Sequence, residues 1–153
     1  RTRLRDEPIR LLTVARLVEI KGHEFALRAF ARLLETHTNV RYDIVGDGPL
    51  RPSLERLVQQ EGLGPWIRFR GFLPRSETLT ALREASLFVL ASKVDDFGNT
   101  EGTPVSIMEA ATLGIPIAAT RHAGIPEVLP PDANTSVPVV ATDCVVAHCK
   151  VSR

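Results

Sequence analysis

Aromatic side chains are scarce here, 5% of 153 residues, which argues against a base-stacking platform for single-stranded nucleic acid. Charge of one sign is missing too. The net charge is +1, so the chain carries no basic footprint for nucleic acid. Arg1, Arg3, Arg5 and Arg10 cluster at the start; a solvated terminal segment and a basic surface patch both fit them. No apolar run reaches the length of a membrane-spanning helix, and no leader pattern opens the chain. Cysteine is limited to Cys144 and Cys149, with His148 beside the second. That is too few ligands for structural zinc, and the spacing fits no zinc pattern, so no metal is expected. Two cysteines make no disulfide framework, so a reducing cytoplasm is the expected setting. The chain starts on Arg1 rather than Met, and its natural start is expected to lie upstream. What is there, 44% hydrophobic and 24% charged residues, suits one globular domain with a sizeable core.

The apolar pattern alternates between two periods. Ile9 to Ala15 reads as a buried strand, and His23 to Thr36 as a helix with Ala26, Phe30, Leu33 and Leu34 on one face. Val40 to Val45 is a second strand. Gly46-Asp47-Gly48-Pro49 then turns the chain, and Pro49 opens a helix bearing Leu50, Leu54, Leu57 and Val58. Trp66 to Phe72 alternates apolar and basic residues as a strand does. Ser76 is placed to cap a third helix, and Leu87 to Ala91 is a continuous apolar strand of the parallel type. A helix after Thr103 and a fifth strand, Ile115 to Ala119, complete the alternation. Strands alternating with helices predict a Rossmann-like, doubly wound parallel sheet with right-handed crossovers. The domain is expected over 9–129, after a leading segment 1–8. From Pro130 the pattern breaks, and 130–153 reads as an irregular, weakly packed tail in which Val137 to Ala141 could form an edge strand.

In such a sheet, ligands bind outside the carboxyl ends of the strands. Arg16, Lys21, the Gly71–Leu73 turn, Glu101 and His122 all fall at such ends. Arg16 and Lys21 follow the first strand. A fork and a point charge together suit a diphosphate, though two solvated cations would leave the same trace. Glu101 and Glu109 stand with seven residues between them. Thr103 is a good N-cap and Pro104 a good first helical residue, so Glu109 falls about 9 Å along the helix from Thr103. The helix N-terminus collects amides and positive dipole that suit phosphate. Alternatively, the glutamates do no more than complement that dipole. Gly46-x-Gly48-x-x-Arg51 lacks the third glycine of a dinucleotide fingerprint and is read as a turn. No Walker loop surrounds Lys21. Ser106 has no nucleophile elbow. His122 is a candidate base or a solvated loop histidine.

Four motifs, in this order, resemble the retaining glycosyltransferases of family four. They are Leu12-Thr13-Val14-Ala15-Arg16-Leu17-Val18-Glu19-Ile20-Lys21-Gly22-His23, Ile44-Val45-Gly46-Asp47-Gly48-Pro49-Leu50, Glu101-Gly102-Thr103-Pro104-Val105-Ser106-Ile107-Met108-Glu109-Ala110 and Gly124-Ile125-Pro126-Glu127. The likeness covers roughly residues 9–129 and looks like the carboxy-terminal, donor-binding half of the two-domain GT-B architecture. Asp96, Thr100-Glu101-Gly102 and Arg121-His122-Ala123-Gly124-Ile125-Pro126-Glu127 look most like the branch that builds colanic acid and related exopolysaccharides.

The resemblance implies roles. Arg16 and Lys21 would hold the diphosphate of a nucleotide-sugar donor and, with Glu101, form the catalytic set. Glu101 would bond hydroxyls of the transferred sugar, and Glu109 the ribose hydroxyls. The amides of Thr103 and Val105 would meet the distal phosphate, and the backbone of Phe72 and Leu73 the base. The donor is a substrate, so no cofactor is implied. Charge building on the leaving diphosphate would be stabilised by preorganised cations and amides. Neither glutamate is assigned as a nucleophile, although retaining glycosidases use one. The acceptor, a glycan or a lipid-linked sugar, would be held by an amino-terminal domain that these residues do not include. The chain is therefore expected to be a fragment that transfers nothing alone. A cytoplasmic setting is implied, with peripheral attachment of the full-length enzyme to the inner face of the membrane left open. A sugar-nucleotide epimerase or phosphorylase of the same fold, a non-catalytic binding module and an inert fragment are the alternatives.

Overall fold

The computed structural model describes residues 7–98, 102, 104–121, 124–125 and the backbone of 144–147. Along the chain lie β1 (Ile9–Val14), α1 (His23–Leu34), β2 (Val40–Val45), α2 (Arg51–Gln60), β3 (Ile67–Gly71), α3 (Arg75–Glu84), β4 (Leu87–Leu90), α4 (Val105–Thr112), β5 (Ile117–Thr120) and β6 (Cys144–Ala147). One sheet holds the six described strands in the order β3-β2-β1-β4-β5-β6. β1 to β5 are parallel, as the alternation of strands and helices predicts. β6 is antiparallel against β5 and pairs Thr120 with Cys144. The strand imagined at Val137 to Ala141 lies outside the described residues, and the pairing segment lies further along, where the sequence shows no period.

The two faces of the sheet follow from the period of two along a strand. Leu11, Tyr42, Ile44 and Ile67 join Ala26, Leu27, Phe30, Leu54 and Val58 in one buried cluster. That is the layer of α1 and α2. Leu12, Val45, Phe88, Leu90 and Ile117 join Ala81, Leu82, Ile107 and Ala110 in the other, the layer of α3 and α4. Neighbours Leu11 and Leu12 thus belong to opposite cores. A strand covered on both faces needs apolar residues at nearly every position, which is why β4 reads as an unbroken apolar run.

Several helix boundaries differ from the sequence expectation. α2 begins at Arg51 rather than Pro49, because the Leu50 amide is used outside the helix, donating to the Leu17 carbonyl at 3.1 Å. α3 begins at Arg75 with Pro74 at the cap position, so Ser76 sits inside the first turn and does not cap. α4 begins at Val105 rather than Pro104. Pro104 has an extended ψ of 126°, and its carbonyl receives the first helical bond, from the Ile107 amide at 3.1 Å. Thr103, expected as the cap, lies outside the described residues. The stop at Gly114 holds: Gly114 donates to the Ala111 carbonyl at 2.9 Å and Ile115 to the Ala110 carbonyl at 3.0 Å. This left-handed closure uses Ile115, so β5 starts two residues later than expected, at Ile117.

One buried polar chain ties three strands together. Thr13 on β1 donates to the Val89 carbonyl of β4 at 2.5 Å, and its hydroxyl oxygen lies 2.7 Å from the Tyr42 hydroxyl of β2. Thr13 has a single hydroxyl proton, so Tyr42 must donate to Thr13. Burial pushes the Tyr42 phenol up to about 12, against the smaller opposing pull of the Thr13 bond. Tyr42→Phe removes one donor and leaves Thr13 satisfied, whereas Thr13→Val orphans the buried phenol. We expect Thr13→Val to cost about 1–3 kcal/mol and Tyr42→Phe about 1 kcal/mol or less. Urea midpoints of the two variants check this ranking; equal losses would refute it.

Candidate functional site

In the strand order the direction of winding reverses between β1 and β4, the point at which sheets of this kind bind ligands outside their carboxyl ends. After β1 the chain passes Arg16 and enters a single 3-10 turn, Glu19–Lys21. Two neighbouring segments grip this loop, one after β2 and one after β4. The Leu17 amide donates to the Asp47 carbonyl at 3.0 Å, and the Lys93 amide to the Ile20 carbonyl at 2.9 Å. Gly22 has φ +61°, and a Cβ there would lie 1.8 Å from the Ala91 carbonyl oxygen after β4. Gly46, at φ +130°, comes as close to Ala15, where a Cβ would lie 1.9 Å from the carbonyl oxygen. The Gly46-Asp47-Gly48-Pro49 stretch is therefore a brace for the loop after β1, in keeping with its reading as a turn. On the other side, Lys93 Nζ meets Glu19 Oε1 at 2.6 Å and lies 5.8 Å from the Phe25 ring centre.

Arg16 and Lys21 are near enough to repel each other. Burial lowers the Lys21 ammonium below its ordinary value, and Arg16 lowers it further. Beneath them lies His23, 2% exposed. Its Nε2 donates to the Arg16 carbonyl at 2.8 Å, and the bare Nδ1 is buried with no hydrogen-bond partner among the described residues. This histidine fixes the backbone of Arg16 from below.

The second part of the site is a groove of about 210 Å³ lined by Phe72, Leu73, Arg75, Thr78, Leu79 and Glu109. Phe72 is 84% exposed, an unusual position for a large apolar ring. Glu109, on α4, is mostly covered, and its Oε1 lies 3.0 Å from Nη1 of the exposed Arg75. The groove thus joins the loop after β3 to the helix after β4. In the sheet, β1 stands between those two strands and carries Arg16 and Lys21 at its carboxyl end. At the start of α4, Val105 is exposed, and among the described residues no side chain caps the helix.

Of the residues singled out in the sequence, Phe72, Leu73 and Glu109 share this groove, and Arg16 and Lys21 adjoin each other at the end of β1. Val105 opens α4. Glu101, Thr103 and His122 lie outside the described residues. Sequence reasoning passed over Arg75, His23 and the Glu19–Lys93 pair. Arg75 follows a strand-end turn, the same signal that picked out Arg16, and could have been found by it. The other two show themselves only through contacts.

The strand order, with cations after the first strand and a carboxylate on the helix after the fourth, defines a Rossmann-like, doubly wound domain. The chain belongs to the glycosyl transferases group 1 family, whose sequence model matches residues 1–139. It is 39% identical over 125 residues to the putative colanic acid biosynthesis glycosyltransferase WcaL of Escherichia coli, covering 82% of this chain and 31% of WcaL. It is 37% identical over 130 residues to the amylovoran biosynthesis glycosyltransferase AmsK of Erwinia amylovora, covering 83% of this chain and 32% of AmsK. The chain thus spans about a third of the length of these curated relatives. Among solved structures, the pneumococcal O-GlcNAc transferase GtfA, in complex with UDP and GlcNAc, superposes with a TM-score of 0.69 at 18% identity, over 87% of this chain and 25% of that one. Anabaena HepE, in complex with UDP and glucose, gives 0.69 at 21%, over 81% and 32%. At such identities these structures speak for the fold.

The buried histidine makes stability depend on pH. Its protonation is depressed, mainly by burial and also by Lys21, against the Arg16 hydrogen bond, which raises it. Below about pH 6.5 the unfolded chain therefore binds a proton that the folded chain resists, so stability falls as pH drops through that value. Unfolding midpoints measured from pH 7.5 to 5.5 should decline in the wild type. His23→Gln should flatten that decline, and an undiminished slope in the variant would remove His23 as its cause.

Proposed function

We propose that this domain binds the nucleotide-sugar donor of a retaining glycosyltransferase, which moves the sugar to a glycan or lipid-linked acceptor in polysaccharide biosynthesis. The observation that carries the reading is the single groove shared by Phe72, Leu73 and Glu109 at the carboxyl edge of the sheet, beside the strand that bears Arg16 and Lys21. A base against the backbone of Phe72 and Leu73 would bring its ribose toward Glu109, whose carboxylate accepts hydroxyl protons. The diphosphate would then extend toward Arg16, Lys21 and the first turn of α4. The names of WcaL and AmsK support exopolysaccharide synthesis, and the UDP in the GtfA and HepE complexes supports a nucleoside diphosphate as the bound group.

In this reading the domain's chemical task is to take up negative charge. When the sugar–phosphate bond breaks, charge builds on the departing diphosphate. Cations and amides already held in place stabilise it without reorganising. The grip on the loop after β1 supplies that preorganisation, because the turn bearing Lys21 cannot shift without breaking the contacts of Gly22 to Ala91 and of Ile20 to Lys93. The weakened hydration of a partly buried Lys21 strengthens its attraction to phosphate. Glu101 is read as bonding the transferred sugar, and the amides of Thr103 and Val105 as meeting the distal phosphate.

Calorimetric titration with UDP, GDP and their sugars tests the reading. We expect binding to one nucleotide class, weakened about tenfold by Lys21→Ala. Arg28→Ala, on the exposed face of α1 where Arg28 pairs with Glu24 and Glu61, should leave the affinity unchanged. No heat with any donor at millimolar concentration, or equal losses in the two variants, would overturn the assignment.

A further inference from the structure

We propose that Arg75 is a positioning residue that orients the Glu109 carboxylate for the ribose and so sets how strongly the site distinguishes ribo- from deoxyribonucleotides. The inference rests on the donor-site reading given above. Its starting point is the ion pair between Arg75 Nη1 and Glu109 Oε1, 3.0 Å apart, on the wall of the same groove that holds Phe72 and Leu73. The two partners differ in exposure: the Arg75 side chain is 77% exposed and that of Glu109 21%. An exposed guanidinium pairing with a mostly covered carboxylate gains little as a stabilising contact. Its geometric effect is larger. Glutamate has three rotatable side-chain bonds, and its terminal carboxylate torsion is soft. With Oε1 engaged by Arg75, the range of carboxylate orientations narrows and Oε2 is the atom left to accept from a hydroxyl.

Local structure explains why Arg75 can do this. β3 ends at Gly71 and Pro74 stands at the cap of α3, so Arg75 is the first helical residue, just past Phe72 and Leu73. Thr78, one turn on, donates its hydroxyl to the Pro74 carbonyl at 3.1 Å and anchors that turn. Glu109 stands in the middle of α4, whose Ile107 and Ala110 are fully buried. The pair therefore bridges two helices of one layer across the mouth of the groove. It couples the turn that would meet the base to the carboxylate that would meet the ribose.

The experiment compares calorimetric affinities for a nucleoside diphosphate and its 2′-deoxy form in wild type, Arg75→Ala, Arg75→Lys, Glu109→Gln and the Arg75→Ala/Glu109→Gln double variant. A hydroxyl bonded to a charged acceptor predicts about tenfold or greater preference for the ribonucleotide in the wild type. Arg75→Ala should reduce that preference to roughly a third by weakening the ribonucleotide more than the deoxy form, which keeps its 3′ hydroxyl, and Arg75→Lys should restore part of it. In the Glu109→Gln background, Arg75→Ala should have no further effect on the ratio. If Arg75→Ala weakens both ligands equally, or leaves the ratio unchanged, Arg75 does not act through Glu109 and the inference fails while the donor site stands. Failure of the wild type to bind any ribonucleotide would instead remove the donor-site reading beneath it.

Discussion

The close backbone contacts around the loop after β1 are the constraint on which the rest depends. Gly22 meets the carbonyl of Ala91, and Gly46 meets that of Ala15, at distances that a side chain could not share. Each contact joins a loop at the carboxyl end of one strand to the loop of its neighbour. Together they hold the ends of β2, β1 and β4 in a single rigid rim. The proposed diphosphate site depends on such a rim, because two cations that already repel each other will drift apart unless the backbone beneath them is fixed.

The layers behind the rim serve the same end. The polar chain from Tyr42 through Thr13 to Val89 fixes the spacing of β2, β1 and β4 within the core. His23, at the start of α1, carries that order up to the Arg16 backbone. Its unpaired buried nitrogen is a cost to folding, and such costs concentrate where geometry matters more than stability. The Glu19–Lys93 pair closes the other flank, and its backbone bond from Lys93 to Ile20 links the turn bearing Lys21 to the segment that leads towards Glu101.

The groove is built with less investment. Phe72 and Arg75 stand exposed, whereas Glu109 is largely covered, beside the partly buried Leu73 and Leu79. That gradient from covered carboxylate to exposed ring suits a ligand whose polar middle is recognised closely and whose base is met mainly through the backbone. Membership of the glycosyl transferases group 1 family agrees with it.

The sequence by itself determined the element order, the doubly wound class and most of the strands, because those rest on periodicity that local residues carry. β2 coincides with its expected bounds, and the Gly114 stop is local left-handed chemistry. Several site candidates were legible for a related reason: topology alone puts Arg16, Lys21, Phe72 and Leu73 at strand ends. Tertiary structure decided the rest. Helix α2 begins two residues late because Leu17, from a distant loop, claims the Leu50 amide. β6 forms because β5 offers an edge, and no pattern in Cys144–Ala147 announces it. The role of Gly46 appears only when Ala15 comes against it. Arg75 and Glu109, 34 residues apart, become partners only once α3 and α4 lie side by side on one face of the sheet. Pairings across such separations depend on how layers pack, and a linear pattern of polar and apolar residues does not encode which surface charges will meet.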